Sequence, residues 1–204
     1  MSLSDEAQAL LEQAGALKRG HFVLSSGLHS DRYCQCATLF ENPELAARVA
    51  ALMLEKLPRG FDCDVVLAPA LGGVLWGYEL ARALGVRSLF AERLPGQSFE
   101  LRRGFELRPG ERVLLAEDVV TTGGSVSELV PLVEAAGATV AGYAVIADRS
   151  RGSFKPRAPL FALAELNFET YPPDRLPEHL RSIPASKPGS RVKTEPQRGQ
   201  EASR

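Results

Sequence analysis

The chain is poor in the residues from which disulfide scaffolds and metal sites are built. Three cysteines among 204 residues, Cys34, Cys36 and Cys63, are too few and odd in number for a disulfide framework. Together with the three histidines, His21, His29 and His179, they match no zinc-ligand spacing. Nor do so few histidines offer a readable Ser-His-Asp arrangement. The default expectation is a reducing, cytoplasmic compartment. No apolar run is long enough to span a bilayer. The amino-terminal Ser4-Asp5-Glu6 is polar and acidic, so no secretory signal is expected. An excess of positive charge is also lacking: the net charge is −1, which gives no general attraction to nucleic acid or to anionic membrane. There is no G-x-G-x-x-G, no lysine following a glycine loop, and no internal repeat.

What is present centres on residues 113–125, Val-Leu-Leu-Ala-Glu-Asp-Val-Val-Thr-Thr-Gly-Gly-Ser. The apolar run does not alternate, as expected of a strand buried on both faces. It carries Glu117 and Asp118 to its carboxyl end, the edge at which open α/β sheets bind ligands. An ordinary strand-to-helix turn explains the small residues after it. It does not explain two adjacent carboxylates where ionised groups cost free energy without a partner. The loop N–H groups and the start of a helix expected from about Gly124 to Ala136 suit an anion. Carboxylates suited to hydroxyls and Mg²⁺ beside a phosphate pocket fit a phosphorylated sugar.

Elsewhere, strands and helices alternate. Helices are expected from a Ser4 cap to Gly15 or Gly20, from Asn42-Pro43 to about Leu57, and from about Val74 to Leu84. Strands are expected at residues 21–24, 64–68, 87–91, 140–147 and 160–168. The excursion from Glu92-Arg93 through 94–98 to Leu107 reads as a charged hairpin bearing Arg93, Arg102 and Arg103. The fold class is therefore α/β, a mostly parallel central sheet with helices on both faces.

Residues 113–125 closely resemble the phosphoribosyl pyrophosphate (PRPP) motif of type I phosphoribosyltransferases. Phe22-x-Leu24-x-Ser26-Gly27-x-x-Ser30-x-x-Tyr33 is similar to the amino-terminal element of the orotate phosphoribosyltransferases. The resemblance implies a small hood, about residues 1–40, and a mobile lid, about 92–108. Both lie within a phosphoribosyltransferase domain spanning 1–172, followed by a polar tail, 173–204, expected to be partly disordered. It implies transfer of the phosphoribosyl group from PRPP to orotate, giving orotidine 5′-monophosphate and pyrophosphate, in pyrimidine synthesis. The PRPP-binding set would be Gly72, Glu117, Asp118, Val119, Val120, Thr121, Thr122, Gly123, Gly124 and Ser125. Orotate would meet Thr121, Tyr33, Cys34 and Arg149, the last through its carboxylate. Catalysis would involve Asp118, Glu117 and the arginines 93, 102 and 103. Mg²⁺ would be held mainly by PRPP with Glu117 and Asp118 nearby, without direct protein ligation.

The family lysine of the hood is replaced by Ser25, and a family lysine in the Gly72 loop is also missing. Cysteines that some members carry near Pro177 are lacking, so no metal clip is expected in the tail. The resemblance further implies a homodimer with shared sites and no nucleic-acid or membrane partner. A purine phosphoribosyltransferase and a non-catalytic PRPP-sensing regulator share the central motif and remain as alternatives. A regulator would carry a basic DNA-reading element, which is not visible here.

Overall fold

A computed structural model describes residues 2–24, 26–93 and 96–188. Ser25, at the position of the family lysine, and tail residues 189–204 lie outside the described residues.

The chain divides into two compact units. One comprises Met1–Lys18 with Cys34–Phe168, and the other Arg19–Tyr33 with the chain from Glu169 onward. The first unit is built on a six-stranded sheet. In chain order its elements are α1 (Leu3–Gln13), a 3-10 turn (Cys36–Glu41), α2 (Pro43–Lys56), β3 (Val65–Pro69), α3 (Gly73–Leu84), β4 (Arg87–Arg93), β5 (Phe99–Leu101), β6 (Arg112–Val120), α4 (Gly124–Ser127), α5 (Val130–Ala135), β7 (Thr139–Asp148) and β8 (Leu160–Glu165). Strands β1 (Leu17–Val23) and β2 (His29–Cys34) form a separate two-stranded sheet. The large sheet has the order β5-β4-β3-β6-β7-β8; every pair is parallel except β4–β5.

The non-alternating runs follow from burial on both sides. Along β6, Val113 and Leu115 join one apolar cluster, while Leu114 and Ala116 join the other. Residues of α1, α2 and α3 line the second cluster, and Val126, Leu129 and Val133 of the α4–α5 segment line the first. Fully buried leucines such as these contribute roughly 1.5–3 kcal/mol each. Helix α3 lies close to the sheet because Gly77 leaves room: a Cβ there would stand 2.8 Å from Ala68 Cβ. The Trp76 indole N–H donates to the Ala144 carbonyl at 3.0 Å, tying α3 to β7.

Two expectations are corrected. Helix α1 is capped by Ser2, not Ser4. The Ser2 hydroxyl accepts from Asp5 N–H and the Asp5 carboxylate accepts from Ser2 N–H, a reciprocal pair that Ser4 cannot make from inside the first turn. The helix expected over 124–136 is broken into α4 and α5. Pro131 has no N–H to give the Ser127 carbonyl and disfavours helical geometry at Val130, so the chain restarts with Pro131 in the first turn of α5. Residues 19–33 fall in the second unit. Helix α1 and the 3-10 turn bury Ala7, Leu10, Leu11, Cys36 and Leu39 in the core of the first.

The second unit is organised by β1 and by the segments following Glu169. Val23 N–H donates to Ser186 O and Ser186 N–H to His21 O, so residue 186 extends one edge. His29 and Tyr171 exchange backbone bonds on the other. His21 Nδ1 bonds the Ile183 carbonyl at 2.8 Å, which leaves Nε2 to accept from His29 Nδ1 at 2.5 Å. The short helix α6 (Glu178–Arg181) buries Leu180 here. Among the described residues no helix is long and apolar enough to cross a membrane.

Candidate active site

Strands β3, β6 and β7 run parallel, so the loops after them share one edge of the sheet. Glu117 and Asp118 lie near the carboxyl end of β6, where Glu117 pairs with Val145 and Val119 with Ala147 of β7. Burial and the neighbouring Asp118 charge push the Glu117 carboxyl up to about 7, against hydrogen bonds from the Ser125 hydroxyl and Val126 N–H. Burial likewise holds Asp118 above the usual carboxylate range, although it accepts Val119 N–H at 2.8 Å. Two carboxylates are thus held together in a place that favours their neutral forms. A cationic ligand or a sugar hydroxyl would relieve that cost.

The loop beyond them is exposed at Thr121, Thr122, Gly124 and Ser125. Gly123 is the exception. It has φ +72, and a Cβ there would stand 2.1 Å from the Phe154 ring. Only glycine fits, because the backbone is left-handed and the aromatic ring presses on it. The Thr122 hydroxyl accepts Gly124 N–H at 3.4 Å. Helix α4 has only four residues, so its dipole is weak, and anion binding would fall to individual loop N–H groups more than sequence periodicity suggests.

Gly72, at the start of α3, meets the carboxylate directly: a Cβ there would lie 3.3 Å from Asp118 Oδ1. The β3–α3 loop and Asp118 are therefore adjacent. The Ala70–Leu71 peptide bond in this loop is cis.

At the end of β7, Arg149 N–H donates to Val120 O, joining this turn to the end of β6. The Arg149 guanidinium lies over the Phe168 ring, 5.0 Å from its centre. Arg151 donates to the Phe168 carbonyl, so Phe168 anchors both arginines. Asp148 accepts Ser150 N–H at 2.7 Å and shapes the turn. The charges of Arg149 and Asp118 both act on Cys34, which places Cys34 in their company. Tyr33 belongs to the second unit, where its ring packs 5.7 Å from that of Phe22.

The three hairpin arginines do not converge. Arg93 ends β4 at the carboxyl edge, pairs with Glu128 at 2.5 Å and covers the Phe99 ring at 4.3 Å. Strand β5 then runs back: Leu101 pairs with Ala91, already two residues or about 7 Å below Arg93. It is also three strands from β6, about 14 Å at ordinary spacing. Arg103 makes two bonds of 2.9 Å to Glu92, and Arg102 is exposed with no ion-pair partner among the described residues. Leu94 and Pro95, within the expected lid, lie outside the described residues. Sequence reading did not find Phe154, Phe168 or Glu128 as supports of the site. Each lies far in sequence from what it touches, and only the αL demand of Gly123 left a local trace.

The chain matches the family model described as "Phosphoribosyl transferase domain" over residues 35–171. An orotate phosphoribosyltransferase of Novosphingobium aromaticivorans is 49% identical over 193 residues, covering 94% of this chain and 99% of that protein. The chain belongs to the orotate phosphoribosyltransferase family. A second member of that family, from Thermotoga petrophila, is 50% identical over 182 residues, 89% of this chain and 96% of that protein. The crystal structure of the Aeropyrum pernix orotate phosphoribosyltransferase superposes with a TM-score of 0.68 at 27% identity, over 78% of this chain and 93% of that one. The family's type I fold accounts for the mostly parallel sheet.

Proposed function

We propose that this chain transfers the phosphoribosyl group of PRPP to orotate, releasing pyrophosphate and forming orotidine 5′-monophosphate in pyrimidine synthesis. Membership in the orotate family at about half identity over nearly the full length supports the reaction. The observation that carries the site is the buried pair Glu117 and Asp118, beside the glycine-bearing loop 121–125 and against Gly72.

Substitution at the anomeric carbon of ribose passes through an oxocarbenium-like state, as in glycoside transfer. Asp118 and Glu117 hold the ribose hydroxyls and place negative charge near the ring as it becomes positive. Val119 and Val120 lead into the loop whose residues Thr121, Thr122, Gly123, Gly124 and Ser125 hold the 5′-phosphate through N–H and hydroxyl donors. Gly72 lets the β3–α3 backbone approach the pyrophosphate. Arg149 makes a bidentate clamp on the orotate carboxylate, a role its planar guanidinium suits better than a lysine would. Thr121 and the backbone at Cys34 complete the orotate contacts.

The donor set fits Mg²⁺. Two carboxylates that resist ionisation alone gain from a cation, while among the described residues no group of three or more His, Cys, Asp or Glu side chains forms a cage. Glu117 and Asp118 would stand beside an ion carried mainly by PRPP oxygens. When bound, the ion would supply Lewis-acid neutralisation of the pyrophosphate charge.

The working unit in this reading is a cytoplasmic homodimer with shared sites. Leu71 in the β3–α3 loop and Leu75 and Tyr78 on α3 are 86%, 55% and 62% exposed, an apolar patch that a second copy would cover. The hairpin geometry supports sharing. Arg102 and Arg103 stand at the far edge of the sheet from their own acidic pair and would meet a partner's pyrophosphate, while Arg93 stays at the edge of its own subunit. The test is a panel of bases offered with PRPP and Mg²⁺. Orotate alone should be consumed; use of adenine, guanine or hypoxanthine in its place would move the chain to the purine reading.

A further inference from the structure

The orotate contact assigned at Cys34 does not use the thiol chemistry of two buried cysteines beside the site. Cys34 and Cys36 sit with Sγ atoms 3.5 Å apart, separated only by Gln35. Cys34 is 6% exposed and Cys36 1% exposed. Both belong to the first unit, and both feel the charges of Arg149 and Asp118. A disulfide needs its sulfurs at about 2.05 Å. The pair is therefore about 1.5 Å short of bonding, a gap that side-chain rotation and a small change at Gln35 can close.

The two thiols are not equivalent. The Cys36 S–H bond to Cys34 and the Arg149 charge favour the Cys34 thiolate, whereas burial and its neighbour hold Cys36 well above the usual thiol range. Cys34 also has the greater exposure. It is the attacking sulfur and Cys36 the resolving one. Cys63 provides an internal contrast: burial, together with Asp62 and Asp64, pushes its thiol up to about 11, so it stays unreactive at neutral pH.

We propose that Cys34 and Cys36 form a reversible disulfide with a small-molecule disulfide as oxidant, and that this bond weakens the orotate end of the site while sparing the PRPP end. The claim about orotate rests on the assignment of Arg149 to the orotate carboxylate. In the first step the Cys34 thiolate attacks one sulfur of the oxidant. The oxidant's S–S bond breaks, and one thiolate leaves and takes a proton. Cys36 then loses its proton and attacks Cys34 Sγ, expelling the second thiolate. Two protein thiols are oxidised to one disulfide, and the oxidant is reduced to two thiols. The new bond draws in the backbone at residues 34–36, beside the place assigned to orotate.

The experiment incubates the full chain with glutathione disulfide at pH 8, then alkylates it and measures intact mass, a peptide map and both Michaelis constants. The expected product has lost the mass of two hydrogens in the peptide carrying Cys34 and Cys36, with Cys63 alone still alkylated. Its KM for orotate should rise roughly fivefold or more while that for PRPP stays within about twofold, and dithiothreitol should reverse both changes. Cys36→Ala should keep the basal activity and stop at a glutathione adduct on Cys34. Three alkylated thiols after oxidation would overturn the proposal, and so would a Cys34–Cys36 disulfide with unchanged orotate KM. If the reduced protein used no orotate, the functional reading would fail, whereas the mass and peptide map would still decide whether the disulfide forms.

Discussion

Replacing Glu117 with Gln should make the protein more stable at pH 8 and much poorer as a catalyst. The folded chain holds the Glu117 carboxyl at about 7, against 4.5 for an ordinary glutamate. Between those values the folded state binds more protons than the unfolded state, so this residue's contribution to stability is present at low pH and is lost as pH rises through the window. A gap of roughly 2.5 pH units at about 1.4 kcal/mol each makes the cost about 3 kcal/mol by pH 8. Gln has nearly the same shape. Its oxygen can keep the bonds from Ser125 and Val126, its amide can donate toward Asp118, and it never ionises. Urea unfolding of wild type and Glu117→Gln at pH 4.5 and pH 8 measures the difference. The two proteins should nearly coincide at pH 4.5. By pH 8 the variant's midpoint should lie about 1 M higher, taking an ordinary slope of about 3 kcal/mol per molar. Over the same change kcat/KM should fall at least tenfold, or ~1.4 kcal/mol of transition-state stabilisation. A stability difference independent of pH, or a variant less stable at pH 8, would refute the idea that Glu117 is held ionised at a cost for the sake of the site.

Asp118→Asn should lower turnover roughly tenfold or more, and an unchanged kcat would remove Asp118 from the ribose. Arg149→Ala should raise the KM for orotate far more than that for PRPP, and Arg149→Lys should not restore it; equal effects on both substrates would mean that Arg149 serves the fold through Phe168 instead. Mixing the impaired Asp118→Asn with the impaired Arg102→Ala/Arg103→Ala should raise activity to about a quarter of wild type, above either variant alone, if sites are shared across a two-fold dimer, since half the dimers are mixed and each carries one intact site. With subunit exchange shown separately, no such rise would mean that each hairpin serves its own subunit.

The parts of the fold legible in the sequence were those set by local signals. The unalternating run of β6 reported burial on both faces, and Asn42-Pro43 marked the start of α2, where the Asn42 side chain does accept from Glu44 and Leu45 N–H. Pro131 carried enough information to break the helix after the glycine loop, but the apolar spacing of Val126, Leu129, Val130 and Val133 pointed to continuity. The position of Arg102 and Arg103 was not legible. It depends on the register of β5 against β4, and the turn at 94–98 does not impose one. The aromatic supports were equally hidden, because Phe154 under Gly123 and Phe168 under Arg149 meet their partners only through the parallel crossover of the sheet. Hence the chemistry of the acidic pair could be read from one stretch of chain, while the residues that hold the site in shape could not.

The most direct measurement incubates the chain with orotate, PRPP and Mg²⁺, following the loss of orotate absorbance alongside the release of pyrophosphate. Orotate should disappear only when PRPP and Mg²⁺ are both present, with one pyrophosphate released for each orotate consumed. Orotate that stays unchanged while PRPP is hydrolysed, or while a purine is taken in its place, would contradict the account.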